Sequence, residues 1–170
     1  MSSQASRLIS SAGLIVGSAL GMAGTFTPVP VRGLLWGLDG IVLVVAATLL
    51  TLHHYRKGND LVAAGFLTYV AGQTLVLATA PMDLAAGAPL FGTGAGLWAA
   101  ALFMLSAPKV APLWVRIAGA CAASMFLVVA IRLFLGTALT ALSQPLPFAA
   151  YPFLVATLAG WAWERYREGA

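Results

Sequence analysis

Charge is what this sequence has least of. Asp, Glu, Lys and Arg together make up 8% of its 170 residues, against about 25% in an ordinary soluble domain. Hydrophobic residues make up 61%, and the mean hydropathy is +0.93. A soluble chain of this length has too small an interior to hide that much apolar side chain. The composition excludes a soluble enzyme, a disordered segment and a nucleic-acid-binding module. It leaves an all-α polytopic membrane protein, with residues 1–170 read as a single transmembrane helical domain.

Reactive side chains are equally scarce. The one cysteine, Cys121, allows neither an intrachain disulfide nor a thiolate metal cluster, and its small neighbours (Ala118, Gly119, Ala120, Ala122, Ala123) mark it as a buried packing residue. The two histidines are adjacent, His53 and His54. Neighbouring helical side chains point about 100° apart, so the two cannot clasp one ion, and no other histidine exists to complete a haem site. There is no GxxxxGK phosphate loop. Asp39 has no acidic neighbour with which to share a divalent metal, and it lies far from both histidines, so no Ser/His/Asp set forms. No catalytic residue, metal site or cofactor is expected, and the chain is read as a non-enzyme.

What is present is a series of apolar runs near the ~20 residues that a bilayer requires. They predict a bundle of six transmembrane helices at about 8–26, 31–52, 61–80, 85–106, 112–135 and 144–163. The first run is expected to be a retained helix rather than a cleaved signal, because its apolar stretch is long for a signal. The sixth is interrupted by Ser143-Gln144-Pro145-Leu146-Pro147, with Pro152 inside. Either a short helix runs from Phe148 or a longer one is kinked at the prolines.

The few charges fix an orientation. With the N-terminus cytoplasmic, Arg7, Arg56, Lys57, Lys109, Arg116, Arg165 and Arg167 fall inside, and only Arg32 and Arg132 outside. That excess follows the positive-inside rule, places both termini in the cytoplasm and makes the plasma (inner) membrane the expected location. Tyr55, Trp114, Trp161, Trp163 and Tyr166 form a predicted inner aromatic belt, with Trp36 toward the outside. His53 and His54, with Arg56 and Lys57, read as an interfacial group facing anionic headgroups.

Glycines spaced by four occur three times: Gly13, Gly17 and Gly21; Gly33 and Gly37; Gly92 and Gly96. Such spacing clears one helix face for close approach of another. The approach is either within the chain or across a homo-oligomer seam. Pro30-Val31-Arg32 and Pro112-Leu113-Trp114-Val115-Arg116 open the second and fifth runs, and so occupy equivalent places in a three-plus-three inverted division.

An ionisable group inside a span is costly and marks a candidate site. Asp39 is the only acid so placed. Arg132, near the outer end of the fifth run, is its predicted interhelical partner, while Arg32 snorkels outward. Gln73, Thr74, Thr93, Gln144 and Tyr151 fall in the same outer half, whereas the inner half holds little that is polar. The pattern predicts a hydrated pocket opening outward, or else interhelical hydrogen-bond glue. Three function classes follow: a small-solute or ion transport protein, an accessory subunit of a larger membrane complex, and a lipid- or quinone-binding protein. The expected partners are the lipid bilayer and either a homo-oligomer or other membrane subunits, with no nucleic acid.

Overall fold

The computed structural model describes residues 3–80, 82–139 and 149–168. There the chain is helical: α1 (Ser3–Thr25), α2 (Val29–Arg56), α3 (Asp60–Ala78), α4 (Leu84–Ser106), α5 (Leu113–Phe134) and α6 (Ala150–Arg167). α1 to α5 are long and apolar enough to cross a membrane. α6 has 18 residues, about 27 Å at 1.5 Å per residue. That is slightly under the ~30 Å hydrocarbon core, and Glu164, Arg165 and Arg167 occupy its last turns.

The helix ends have local causes. α2 continues through His53–Arg56, past the predicted end at residue 52. It stops where Gly58 adopts a positive φ of 72°. The Gly58 N–H then donates to the Tyr55 carbonyl and the Asn59 N–H to the His54 carbonyl, which satisfies two carbonyls left over at the helix end. α5 ends the same way at Gly136, with Thr137 N–H reaching back to the Arg132 carbonyl. The Asp83 carboxylate caps α4 by accepting the Ala86 N–H at 2.8 Å. α6 begins at Ala150 rather than at 144. Pro152 therefore falls in its first turn, where the missing N–H has no helical partner to lose. The 143–147 stretch, Gln144 included, and Phe148 lie outside the described residues.

Each helix packs against its sequence neighbours, and α6 closes back on α1. The result is a closed ring in which α2 meets α1 and α3 but not α5. Glycines set the close approaches. A Cβ on Gly13 would stand 2.8 Å from the Ala46 Cβ, one on Gly17 2.5 Å from the Leu43 Cγ, and one on Gly21 3.0 Å from an Asp39 carboxylate oxygen. The whole α1 stripe is thus spent on α2. Gly92 and Gly96 face Leu133 and Ala130 of α5. Gly33 and Gly37 differ: among the described residues nothing lies within 4 Å of a Cβ at either. Two glycines outside the spacing pattern form the tightest α3–α4 contact. A Cβ on Gly72 would meet the Gly94 carbonyl oxygen at 2.9 Å, and one on Gly94 would meet that of Gly72 at 3.0 Å.

One end of the ring carries the C-terminal ends of α2, α4 and α6 and most of the bases; it is called the basic end below. Leu14, Leu50, Phe66, Leu102, Leu105 and Trp161 are buried toward it. His54 stacks on Phe66 (centroids 5.7 Å apart) and meets Trp161 edge-on at 5.4 Å. Two expectations are corrected here. Trp161 and His54 belong to the bundle interior, at 2% and 4% exposure, because they pack into each other rather than toward headgroups. His53 points instead to Glu168, with Nε2 2.8 Å from Oε2. Tyr55, Trp114, Trp163 and Tyr166 are exposed, as a belt requires. Cys121 is half-buried rather than buried.

Candidate functional site

Away from the basic end, the ring encloses a cavity of about 210 Å³ between α1, α2, α3, α4 and α6. That volume corresponds to roughly seven waters at ~30 Å³ each. It reaches the end of the bundle beside Thr25, Thr79, Ala80 and Met82. Its walls are mostly apolar, with Asp39, Tyr69, Gln73, Trp98 and Tyr151 set among them.

Each polar group is placed by a recognisable local device. Asp39 sits on α2, about 15 Å along from its first residue at 1.5 Å per residue. Gly21 of α1 faces it, and the absent side chain leaves room for the carboxylate. Trp36, one turn earlier, is pinned because its Nε1–H donates to the Gly21 carbonyl at 3.2 Å. Arg32 lies over the Trp36 ring, 5.6 Å from its centroid, and donates to the Thr27 carbonyl at 3.0 Å. It therefore turns toward the end of the bundle, as snorkelling predicts, and away from Asp39. Tyr69 and Gln73 are four apart on α3 and share a face. The Gln73 amide lies within hydrogen-bonding reach of the Asp39 carboxylate.

A row of rings forms the floor. Tyr69 stacks on Trp98 (6.1 Å, 15°), Trp98 meets Phe126 edge-on at 5.1 Å, and Phe126 meets Tyr151 edge-on at 5.8 Å. The row links α3, α4, α5 and α6 and fixes the Trp98 and Tyr69 edges at the cavity.

Four buried polar atoms at this cavity have no hydrogen-bond partner among the described residues: Asp39 Oδ1, Tyr69 OH, Gln73 Oε1 and Trp98 Nε1. Buried polar groups are nearly always paired, and each orphan costs on the order of 1–3 kcal/mol. All four belong to residues that line the one cavity, and that separates it from a packing defect. Asp39 and, near the mouth, Asp83 are its charged lining residues; among the described residues no Lys, Arg or His lines it.

Of the residues singled out from sequence, Asp39, Gln73 and Tyr151 meet at the cavity. Thr74 does not. It is exposed one position round the helix from Gln73, and its hydroxyl donates to the Ala71 carbonyl at 2.8 Å. Thr93 is likewise exposed and donates to the Pro89 carbonyl at 2.9 Å. Gln144 lies outside the described residues.

The predicted Asp39–Arg132 pair is overturned. Arg132 is exposed on α5, and the ring order holds α5 apart from α2. Both residues lie in the half away from the basic end, which says nothing about their positions around the ring. Tyr69 and Trp98 were missed. Both carried a signal: a tyrosine one turn before an intramembrane glutamine, and a tryptophan in mid-span rather than in an interfacial belt.

Among the described residues no group of three or more His, Cys, Asp or Glu side chains could hold a metal ion. The arrangement can recognise a small molecule: it offers two acceptors, a phenol that both donates and accepts, and an indole N–H donor, on apolar walls. Comparison with known protein families, curated proteins and solved structures finds no match, so the assignment of a role rests on this cavity.

Proposed function

We propose that the chain is a transport protein of the plasma membrane that binds a small solute in the cavity beside Asp39. In this reading six helices span the bilayer and both termini are cytoplasmic. The basic end then faces the cytoplasm and the cavity opens to the outside. The distribution of Lys and Arg supports that orientation. The observation that carries the binding reading is the gathering of Asp39, Gln73, Tyr69 and Trp98, each with an unpaired polar atom, around one cavity. Ligand sites are typically apolar cavities with a few placed polar groups, and an intramembrane acid marks solute and ion pathways. The His54–Phe66–Trp161 cluster closes the path toward the cytoplasm, as an outward-facing state requires. The role proposed is non-enzymatic.

A second reading, an accessory subunit or homo-oligomer, is favoured by a different observation. Gly33 and Gly37 have open space above them, beside the exposed Leu34 and Leu38. That is a face on which another helix could seat. Purification in mild detergent followed by native mass spectrometry separates the two. Transport predicts a small molecule that accompanies the wild-type protein and is lost from Asp39→Asn. A stoichiometric partner polypeptide with no small molecule in either form would overturn it.

A further inference from the structure

The polar atoms at the cavity specify more than the presence of a ligand. Two of the four unpaired atoms, Asp39 Oδ1 and Gln73 Oε1, are acceptors, so the occupant must bring donors to them. The Tyr69 hydroxyl can serve as a third acceptor. The titratable groups of the wall are one-sided as well: acids at Asp39 and Asp83 and, among the described residues, no base. An anion placed there would face acids across a low-dielectric space with no compensating cation, where like charges repel strongly. The remaining lining includes the aliphatic Leu43, Val76, Leu154 and Leu158, which can cover only hydrocarbon, and the aromatic Trp36 and Phe91. The Trp98 Nε1–H is a donor that this chemistry does not serve; the bare acceptors, the acids and the apolar walls together favour a cation that carries donors.

Resting on the transport reading above, the geometry points to a protonated amine with a compact apolar body as the solute: its ammonium N–H groups donate to the Asp39 and Gln73 side-chain oxygens, and its hydrocarbon lies against the apolar walls, Phe91 and Leu154 among them. An ammonium beside a carboxylate forms a charge-assisted hydrogen bond, the stronger kind, and an aromatic lining tolerates a cation where an aliphatic one does not. The volume of about 210 Å³ limits the occupant to a small molecule. A neutral solute would offer the ionised form of Asp39 no counter-charge. A quaternary ammonium would compensate it but leave both acceptors without donors.

The test uses the wild-type protein in lipid nanodiscs at pH 8, titrated by calorimetry with four probes of one shape: 2-phenylethylamine, its N,N,N-trimethyl derivative, 2-phenylethanol and phenylacetate. The amine is expected to bind at least tenfold more tightly than the alcohol and more tightly than the trimethyl compound, with phenylacetate undetectable. Asp39→Asn should bring the amine down to the affinity of the alcohol while leaving the alcohol unchanged. The comparison among probes on the wild type decides the matter even where that variant does not fold. Equal binding of amine and alcohol, or preferred binding of phenylacetate, would overturn the amine class and leave the cavity as a solute site. Absence of binding by all four probes would overturn the amine class, and native mass spectrometry would still report separately on whether the cavity holds another solute.

Discussion

Gly72→Ala and Gly37→Ala make the same chemical change on two neighbouring helices, and the packing predicts opposite outcomes. At Gly72 the added methyl would stand 2.8 Å from the Trp98 ring, 2.9 Å from the Gly94 carbonyl oxygen and 3.1 Å from the Leu97 Cβ. One of these is backbone and another is a side-chain root, so neither can swing aside, and α3 must move off α4. Overpacking of this kind costs roughly 1–3 kcal/mol. At Gly37 nothing lies within 4 Å, so the methyl costs nothing in contacts. Replacing glycine by alanine inside a helix gains roughly 0.5–1 kcal/mol in both variants, and this common gain cancels in the difference. Gly72→Ala should therefore be about 1–3 kcal/mol less stable than Gly37→Ala in equilibrium unfolding by SDS from mild detergent. Trp98 belongs to the cavity floor, so Gly72→Ala should also weaken solute binding. Equal stability of the two variants would refute the reasoning. A fall in Gly37→Ala together with loss of an oligomer would instead place a second chain on that face.

Other outcomes follow from the same contacts. Arg132→Gln should change stability by less than ~0.5 kcal/mol, as exposed substitutions do, and leave solute affinity unchanged; a large loss by SDS unfolding would restore the discarded pair with Asp39. Thr74→Val and Thr93→Val should leave solute affinity within twofold by calorimetry, because both hydroxyls donate only to their own helix. At the basic end, burial pushes the Glu168 carboxyl up, but the Lys57 hydrogen bond, His53 and the Arg165 hydrogen bond outweigh it and hold the group below the usual carboxylate range. Its contribution is therefore present at neutral pH and is lost as the pH falls through that range. Glu168→Gln should cost less than about 1 kcal/mol at pH 7, and the gap from wild type should narrow toward pH 4; a gap that widens on acidification would contradict this sign.

The sequence made the helices legible because their signal is local. A run of apolar residues must span the bilayer whatever it packs against, so α1 to α5 fall close to their predicted places. The α2 end was set too early because the histidines read as polar, whereas His54 stacks inside the bundle and lets the helix run on to Gly58. Along the chain, depth was also legible: Asp39, Gln73 and Tyr151 were read into one half and do share one cavity. Position around the ring was not. It depends on which helix neighbours which, and no single helix carries that information. Arg132 and Asp39 both lie in the half away from the basic end, on helices that do not touch, while Thr74 and Gln73 are adjacent in sequence and face different surroundings. Gly13, Gly17 and Gly21 gave a correct packing stripe, yet the same spacing at Gly33 and Gly37 meets nothing among the described residues. Gly72 and Gly94, which set the closest α3–α4 approach, have no partner four residues away and so fell outside the pattern.

Access to the cavity from the outer side of the membrane is the property on which the proposed role depends most. It can be read in intact cells by substituting cysteine in a Cys121→Ser background. Val76→Cys and Val155→Cys place a thiol on the cavity lining, and Leu102→Cys places one in the filled part of the bundle. A small, permanently charged, membrane-impermeant thiol reagent is then added outside. Rapid labelling at residues 76 and 155, faster with a cationic than with an anionic reagent and absent at residue 102, is the predicted result. Labelling at 76 and 155 only when the cytoplasmic face is presented, or at neither position from either side, would contradict an outward-opening solute site.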